Sequence, residues 1–179
     1  MRRNAVANRE RILTAAEVVF GEHGAAGSTE EVARRADVGI ATVFRHFPTK
    51  AALVEATLVR HFDLLNEQAS LLSAHPDPGS AFRDLVRTMI ERGSTKVTLA
   101  SQMPGGQFPL SVRPAADRLR ATVEDLMGRA ARSGAIRPDV TADEVYLLIG
   151  GLAQASATTA TTPRTLGRAI DVVITGLSA

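Results

Sequence analysis

The sequence predicts an all-α protein, a three-helix N-terminal head followed by a larger helical domain. Three observations carry this. Apolar residues recur three and four apart in segment after segment, which is helical spacing. Residues that start and stop helices stand at the edges of those segments, with Ser, Thr or Pro before and Gly after. No stretch alternates apolar and polar residues as a half-buried strand would.

The first helix is read from Arg9 to His23, where Ile12, Ala16, Val19 and Phe20 form one apolar face. Gly24 takes the position after its end, and Ala25 to Gly27 form a linker. Ser28 opens the second helix, with Glu31 completing a capping box and Val32, Ala33 and Ala36 facing inward. Asp37, Val38 and Gly39 make the turn. A tight, small-residue turn lets two short helices cross steeply with Val38 tucked between them. The third helix runs from Ile40 to about Phe47. Val43 and Phe47, four apart, point inward with Val38 and leave Thr42, Arg45 and His46 on other faces. An element that packs on one side and offers short polar and cationic groups on the other is shaped for a DNA groove.

Pro48 ends that helix, and Thr49 caps a fourth with Lys50 at its first position. Leu53 or Val54, Leu58, Phe62, Leu65 and Leu72 keep its period down to Ser73, so it is a long strut. His75-Pro76-Asp77-Pro78-Gly79 is the clearest linker. Ser80 then caps a fifth helix with Phe82, Leu85, Val86, Met89 and Ile90 inward. Gly93 breaks it, and a shorter helical piece follows through Leu99. Residues 103–109 hold two prolines and two glycines and cannot form regular helix. Pro114 starts the next helix, with Leu119, Val123, Leu126, Met127 and Ala130 on one face and Gly134 closing it. Thr141 and Glu144 form a second capping box before a helix through Tyr146, Leu148, Ile149 and Leu152. Thr162-Pro163 opens the last helix, striped by Leu166, Ile170, Val173, Ile174 and Leu177.

Composition narrows the function. At 179 residues and 45% hydrophobic, the chain can bury a real core. It has no cysteine, which excludes disulfides, thiolate zinc sites and a cysteine nucleophile. No apolar run reaches the ~18 residues that span a bilayer, and the N-terminus lacks the apolar core of a secretory signal. A cytoplasmic protein with no membrane partner is expected. His23, His46, His61 and His75 include no pair three or four apart, so no metal site is expected. Hydrolase elbow, Walker loop and dinucleotide fingerprint are all missing, and Gly105-Gly106 lacks the strand a phosphate loop needs. The chain reads as neither an enzyme nor a cofactor carrier.

The net charge is only +2, but residues 1–50 carry eight Lys or Arg against six Asp or Glu. Arg2, Arg3, Arg9 and Arg11 face only Glu10 at the very start. A basic arm over residues 1–8, before a helix-turn-helix, suits phosphate or minor-groove contact, the alternative for Arg2 and Arg3 being a solvated, frayed end.

In order and without a gap, Ala33-Arg34-Arg35-Ala36, Val38-Gly39-Ile40 and Thr42-Val43-Phe44-Arg45-His46-Phe47-Pro48-Thr49-Lys50 resemble the TetR (tetracycline-repressor-like) family of bacterial transcription regulators. The Ile12-Leu13 and Val19-Phe20 pairs fit as well, so the resemblance is specific over about residues 9–60. Gly134 to Thr141 resembles the lead into the penultimate helix of many members. The middle third matches only as a helical pattern. The resemblance implies a homodimer whose heads, residues 1–50, bind a pseudo-palindromic operator. Residues 51–179 would carry the dimer interface and a pocket for a small molecule that releases the DNA. In matching positions Ile40, Ala41, Thr42 and Arg45 would face the major groove, with Gly39 also among the DNA-binding residues. Phe44, His46, Lys50 and Ser28 or Thr29 would lie near phosphates. Two departures stand out. Phe44 occupies a place where the family commonly has tyrosine, so a phosphate bond worth ~1 kcal/mol per head is missing, and the ring is either at the DNA or in the core. Asp37 occupies a place where glycine is frequent. Ile40 and Ala41 can read only a thymine methyl, which leaves Arg45 for direct base readout or a phosphate.

Two weaker candidates complete the reading. Met89, Met103, Phe108, Leu126, Met127 and Tyr146 could line a cavity for an apolar or amphipathic effector, with Gln102 and Gln107 as polar handles; the alternative is ordinary core. Glycines inside a helix cost ~1 kcal/mol each against alanine. Gly150 and Gly151, with Ala153, Gln154 and Ala157, therefore suggest close approach of another helix. That helix would belong to a partner subunit, with Leu166, Ile170, Val173 and Leu177 beside it; packing within one chain or room for a ligand are the alternatives. Functionally, the rivals to an effector-released repressor are a regulator controlled by a protein partner and a helical interaction module that binds no operator.

Overall fold

The computed structural model describes residues 2–103 and 108–179, the side chains of Arg2 and Arg3 excepted. Gln107 and the Arg2 and Arg3 side chains, nominated above, thus lie outside the described residues. Among the described residues the chain forms nine α-helices: α1 (Arg2–His23), α2 (Thr29–Arg35), α3 (Ile40–His46), α4 (Lys50–Ser73), α5 (Pro78–Glu91), α6 (Gly93–Ala100), α7 (Arg113–Arg132), α8 (Ala142–Thr158) and α9 (Pro163–Leu177). A single antiparallel bridge, Ile136 with Ser178, is the one extended pairing among them.

Helix ends obey the local chemistry, with three differences from the sequence reading. Helix α1 starts at Arg2, seven residues before Arg9, so residues 2–8 extend the helix and are not a separate arm. It stops at Gly24, whose φ of +54° a side-chain-bearing residue would adopt only under strain. Ser28 caps α2 by accepting from the Glu31 amide at 3.1 Å. The reciprocal half of the box is replaced, because the Glu31 carboxylate pairs with His23 at 3.5 Å and Arg34 at 3.8 Å. Helix α5 is capped by Asp77 and not by Ser80. The Asp77 carboxylate accepts from the Gly79 amide at 2.9 Å and from the Ser80 hydroxyl at 2.6 Å. Pro78 can then occupy the first turn, where its missing N–H costs nothing. At α8 both halves of the Thr141–Glu144 box form, and Thr162 caps α9 ahead of Pro163.

The helices cluster into two compact units, Met1–Phe62 with Thr95–Arg113, and Asp63–Ser94 with Pro114–Ala179. In the first, α1 packs on α2 and α2 on α3. Ile12, Val19, Phe20, Val32 and Val43 are fully buried there. The N-terminal half of α4 is tied to α1 by polar bonds. Arg60 donates to Glu17 at 2.8 Å, to Thr14 at 3.0 Å and to Glu10 at 3.1 Å. His61 is fully buried with Nδ1 3.2 Å from Glu17 Oε1. In the second unit, α5, α8 and α9 contact one another around Phe82, Leu85, Ile149 and Ile170. Gly93 makes a close approach possible, since a Cβ there would lie 2.5 Å from the Cβ of Ala153. Ala153, nominated for a partner interface, is therefore packed inside its own chain, as are Ile170 and Leu177.

Candidate nucleic-acid interface

Helix α3 is built to be read from one side. Val43 and the following Phe47 are buried, which fixes the helix to the head. Its N-terminus is held by Gly39, whose carbonyl accepts from the Thr42 amide at 2.8 Å. The outward surface carries Ile40, Ala41, Phe44 and Arg45, with Thr42 and His46 half-buried at its margins. Phe44 is 43% exposed and Ile40 38%, so Phe44 is not a core residue. Arg45 is exposed, and among the described residues its guanidinium has no ion-pair or hydrogen-bond partner. An unpaired cation flanked by exposed apolar side chains on a short, rigid helix can form a bidentate bond to a guanine edge and touch a thymine methyl.

Other nominated side chains are committed to the head itself. Lys50 donates to the Ala25 carbonyl at 2.7 Å, and its ammonium lies 5.5 Å from the Phe20 ring centroid. Two further N–H groups remain on that ammonium for a phosphate. Thr29 is buried with its hydroxyl donating to Glu30, so only Ser28 of that pair reaches the surface. The Arg9 guanidinium stacks 5.5 Å from the Phe47 ring centroid.

The turn between α2 and α3 carries the one positive-φ residue other than glycine among the described residues, Asp37 at φ +52°. The Val38 amide donates to the Ala33 carbonyl at 3.1 Å and the Asp37 amide to Arg34 at 3.2 Å, which is the Schellman closure of a helix. Arg11, from α1, reaches across to it. One guanidinium nitrogen donates to the Ala36 carbonyl at 2.6 Å, the Asp37 carbonyl at 2.7 Å and the Asp37 carboxylate at 3.2 Å. The sequence reading missed this clasp. The contact spans 26 residues and leaves no local spacing; the only trace is an aspartate where the turn favours glycine.

The residues nominated for an effector pocket fall in both units. Met103 is buried and Gln102 and Phe108 are half-buried in the first; Met89, Leu126 and Met127 are buried and Tyr146 half-buried in the second. Phe108 meets Phe62 edge to face with centroids 5.5 Å apart. Two of these residues hold buried polar atoms with no partner among the described residues, Gln102 Oε1 and the Tyr146 hydroxyl. Burial pushes the Tyr146 phenol up to about 12, partly offset by Arg120, whose guanidinium lies 5.1 Å from its ring. Of the interface candidates, Gly151 and Gln154 are exposed, while Gly150, Ala157, Leu166 and Val173 are half-exposed. A Cβ at Gly150 or Gly151 would meet nothing within 4 Å in this chain. Close to them Leu147 is 75% exposed and, on α9, Val172 is 72% exposed. Val172 lies off the apolar stripe of α9 named above, whereas Leu147 was not legible as exposed, because α8 is apolar on more than one side. No metal-binding cluster of His, Asp or Glu occurs among the described residues, and no helix is long and apolar enough to cross a membrane.

A helix-turn-helix head on a helical domain defines a DNA-binding regulator. Comparison with known proteins agrees. Residues 12–57 match the model of the tetR family of bacterial regulatory proteins, and residues 77–179 match that of the C-terminal domain of SbtR-like transcriptional regulators. The chain belongs to the tetR family. It is 29% identical to the TetR transcriptional regulator SCO0520 from Streptomyces coelicolor, covering 95% of this chain and 98% of that one with a TM-score of 0.78. A TetR transcription regulatory protein from Mycobacterium vanbaalenii is also 29% identical over 99% of both chains, again with a TM-score of 0.78. RolR in complex with resorcinol shares the fold, with a TM-score of 0.56, 16% identity and coverage of 99% and 90%. No curated protein sequence matches the chain.

Proposed function

We propose that this regulator acts as a repressor, a homodimer that holds a pseudo-palindromic operator through two α3 helices and is released by a small apolar or amphipathic effector. Residues 1–50 form the DNA-binding part and residues 51–179 the regulatory and dimerising part. The observation that carries the reading is the exposed face of α3, with Arg45 unpaired among the described residues and Ile40 and Ala41 beside it. Arg45 and Thr42 read bases; Ser28, His46, the free N–H groups of Lys50 and Arg2 and Arg3 hold phosphates. The missing tyrosine hydroxyl at Phe44 leaves an apolar ring that seats against sugar or a thymine methyl. Two α3 helices must lie about 34 Å apart, or a little more, to reach successive major grooves.

Self-association is supported by α8 and α9. Leu147 and Val172 are exposed apolar side chains, and Gly150 and Gly151 keep open space that none of the described residues fills. A second copy covering that face removes apolar surface from water and explains two glycines in a helix. The effector reading is supported by the buried Tyr146 hydroxyl, which has no partner among the described residues and is a polar handle that a ligand can satisfy.

The test compares Arg45→Ala with Lys50→Ala on operator and random duplex. Arg45→Ala should lose about 1–3 kcal/mol on operator and little on random DNA, while Lys50→Ala weakens both evenly. Equal losses of both variants on both duplexes would reject Arg45 as the base reader.

A further inference from the structure

We propose that Arg11 is a positioning residue for DNA reading: its guanidinium clasps the α2–α3 turn and thereby sets the angle at which α3 meets the groove. The inference rests on α3 being the reading helix. Three observations lead to it. Asp37 holds φ +52°, a conformation that non-glycine residues leave readily unless something fixes it. The Arg11 bonds to the Ala36 and Asp37 carbonyls, at 2.6 and 2.7 Å, satisfy acceptors that the end of α2 leaves without intrahelical donors. The same nitrogen reaches the Asp37 carboxylate at 3.2 Å, so the side chain that makes the turn unfavourable also recruits the cation that holds it.

The clasp is anchored at its other end. Arg11 follows Glu10, which accepts from Arg60 at 3.1 Å, and precedes the fully buried Ile12. The backbone that carries Arg11 is therefore rigid. The turn has only two residues, Val38 and Gly39, between Asp37 and the first residue of α3. A shift of the Asp37 backbone is passed on to Ile40 through that short link, and from there to Arg45. Three acceptors engage one guanidinium nitrogen, which ties Arg11 to the turn; its remaining N–H groups could still meet a phosphate, and the salt slope tells the two roles apart.

A phosphate-binding arginine and a positioning arginine leave different signatures. Losing a phosphate contact weakens operator and random duplex together and lowers the salt slope by about one per head. Losing a positioning residue lowers the ratio of operator to random affinity and leaves the salt slope unchanged. The full-length dimer is titrated with its selected operator and with random duplex, as wild type, Arg11→Gln, Arg11→Lys and Arg11→Lys with Asp37→Gly. Either single variant is expected to lower the operator-to-random ratio about tenfold, the worth of one charge-assisted hydrogen bond. Glycine holds a positive φ without help, so the double variant should recover most of the ratio. Helix content, read by circular dichroism, should match wild type throughout.

An unchanged ratio, a loss shared by both duplexes with a shallower salt slope, or no recovery with Asp37→Gly each overturns the assignment. If both single variants lose helix content, Arg11 is a folding residue and the assignment also fails. Wild type that selects no operator would remove the reading-helix premise, an outcome visible before any substitution is made.

Discussion

At the residue scale the account turns on which polar groups are spoken for. Lys50, Arg11 and Arg60 are each bound to carbonyls or carboxylates of the head, whereas Arg45 has no such partner among the described residues. Tyr146 gives a second test, because it is the only tyrosine and its phenol is pushed up to about 12, chiefly by burial. An unfolded tyrosine titrates near 10. Below that pH both states keep the proton and Tyr146 adds no pH dependence. As pH rises from about 10 to 12 the unfolded chain sheds the proton first, so stability falls across that window. Thermal unfolding followed by circular dichroism should show this fall in wild type and its removal in Tyr146→Phe. Tyr146→Phe should leave neutral-pH stability unchanged or raised, since it removes a hydroxyl without a partner among the described residues, while weakening binding of the proposed effector. A clear loss of stability at neutral pH would mean that the hydroxyl is bonded.

At the scale of elements, caps and close contacts set stability. Thr141 accepts from the Glu144 amide at 3.3 Å while the Glu144 carboxylate accepts from the Thr141 amide at 2.7 Å. Thr141→Ala should cost about 1 kcal/mol in urea unfolding. Its backbone and hydroxyl bonds hold the Glu144 carboxyl below the ordinary carboxylate range. The stability this adds is present above the unfolded pKa and is lost as pH falls through the lower, folded one. Gly93→Ala forces a methyl against Ala153 and should destabilise by about 1–3 kcal/mol, with no change expected from Gly151→Ala inside one chain. Equal stability of Gly93→Ala and wild type would mean that the Gly93 and Ala153 backbones can move apart freely. These elements also mark what a sequence can carry. Helix existence, the Thr141 box, the Thr162-Pro163 start and the inward Val43 and Phe47 are local patterns, and they were legible. Asp77 displacing Ser80 as a cap was not, because both residues suit the position and only the backbone decides. The Arg11 clasp and the Glu17–Arg60–His61 ties join residues far apart in the chain, where periodicity says nothing. Which apolar residues of α8 face outward was equally hidden, since that helix is apolar on more than one side, whereas the stripe of α9 already left Val172 outside it.

For the whole molecule, reading two half-sites requires two chains. Leu147→Glu or Val172→Glu places a charge on the apolar surface of α8 or α9 and should yield a folded monomer by light scattering. Operator affinity should then fall steeply while single-head, salt-sensitive binding persists. A dimer that survives both changes would move the interface elsewhere. The central claim is that the exposed face of α3 reads sequence as one of a pair. The measurement that tests it most directly is selection of random duplexes on the purified protein, followed by titration of the enriched sequence across salt. The account predicts a pseudo-palindrome with half-sites about one helical turn apart or more, bound by a dimer with a steep salt slope. No enrichment, with weak binding blind to sequence, would contradict it.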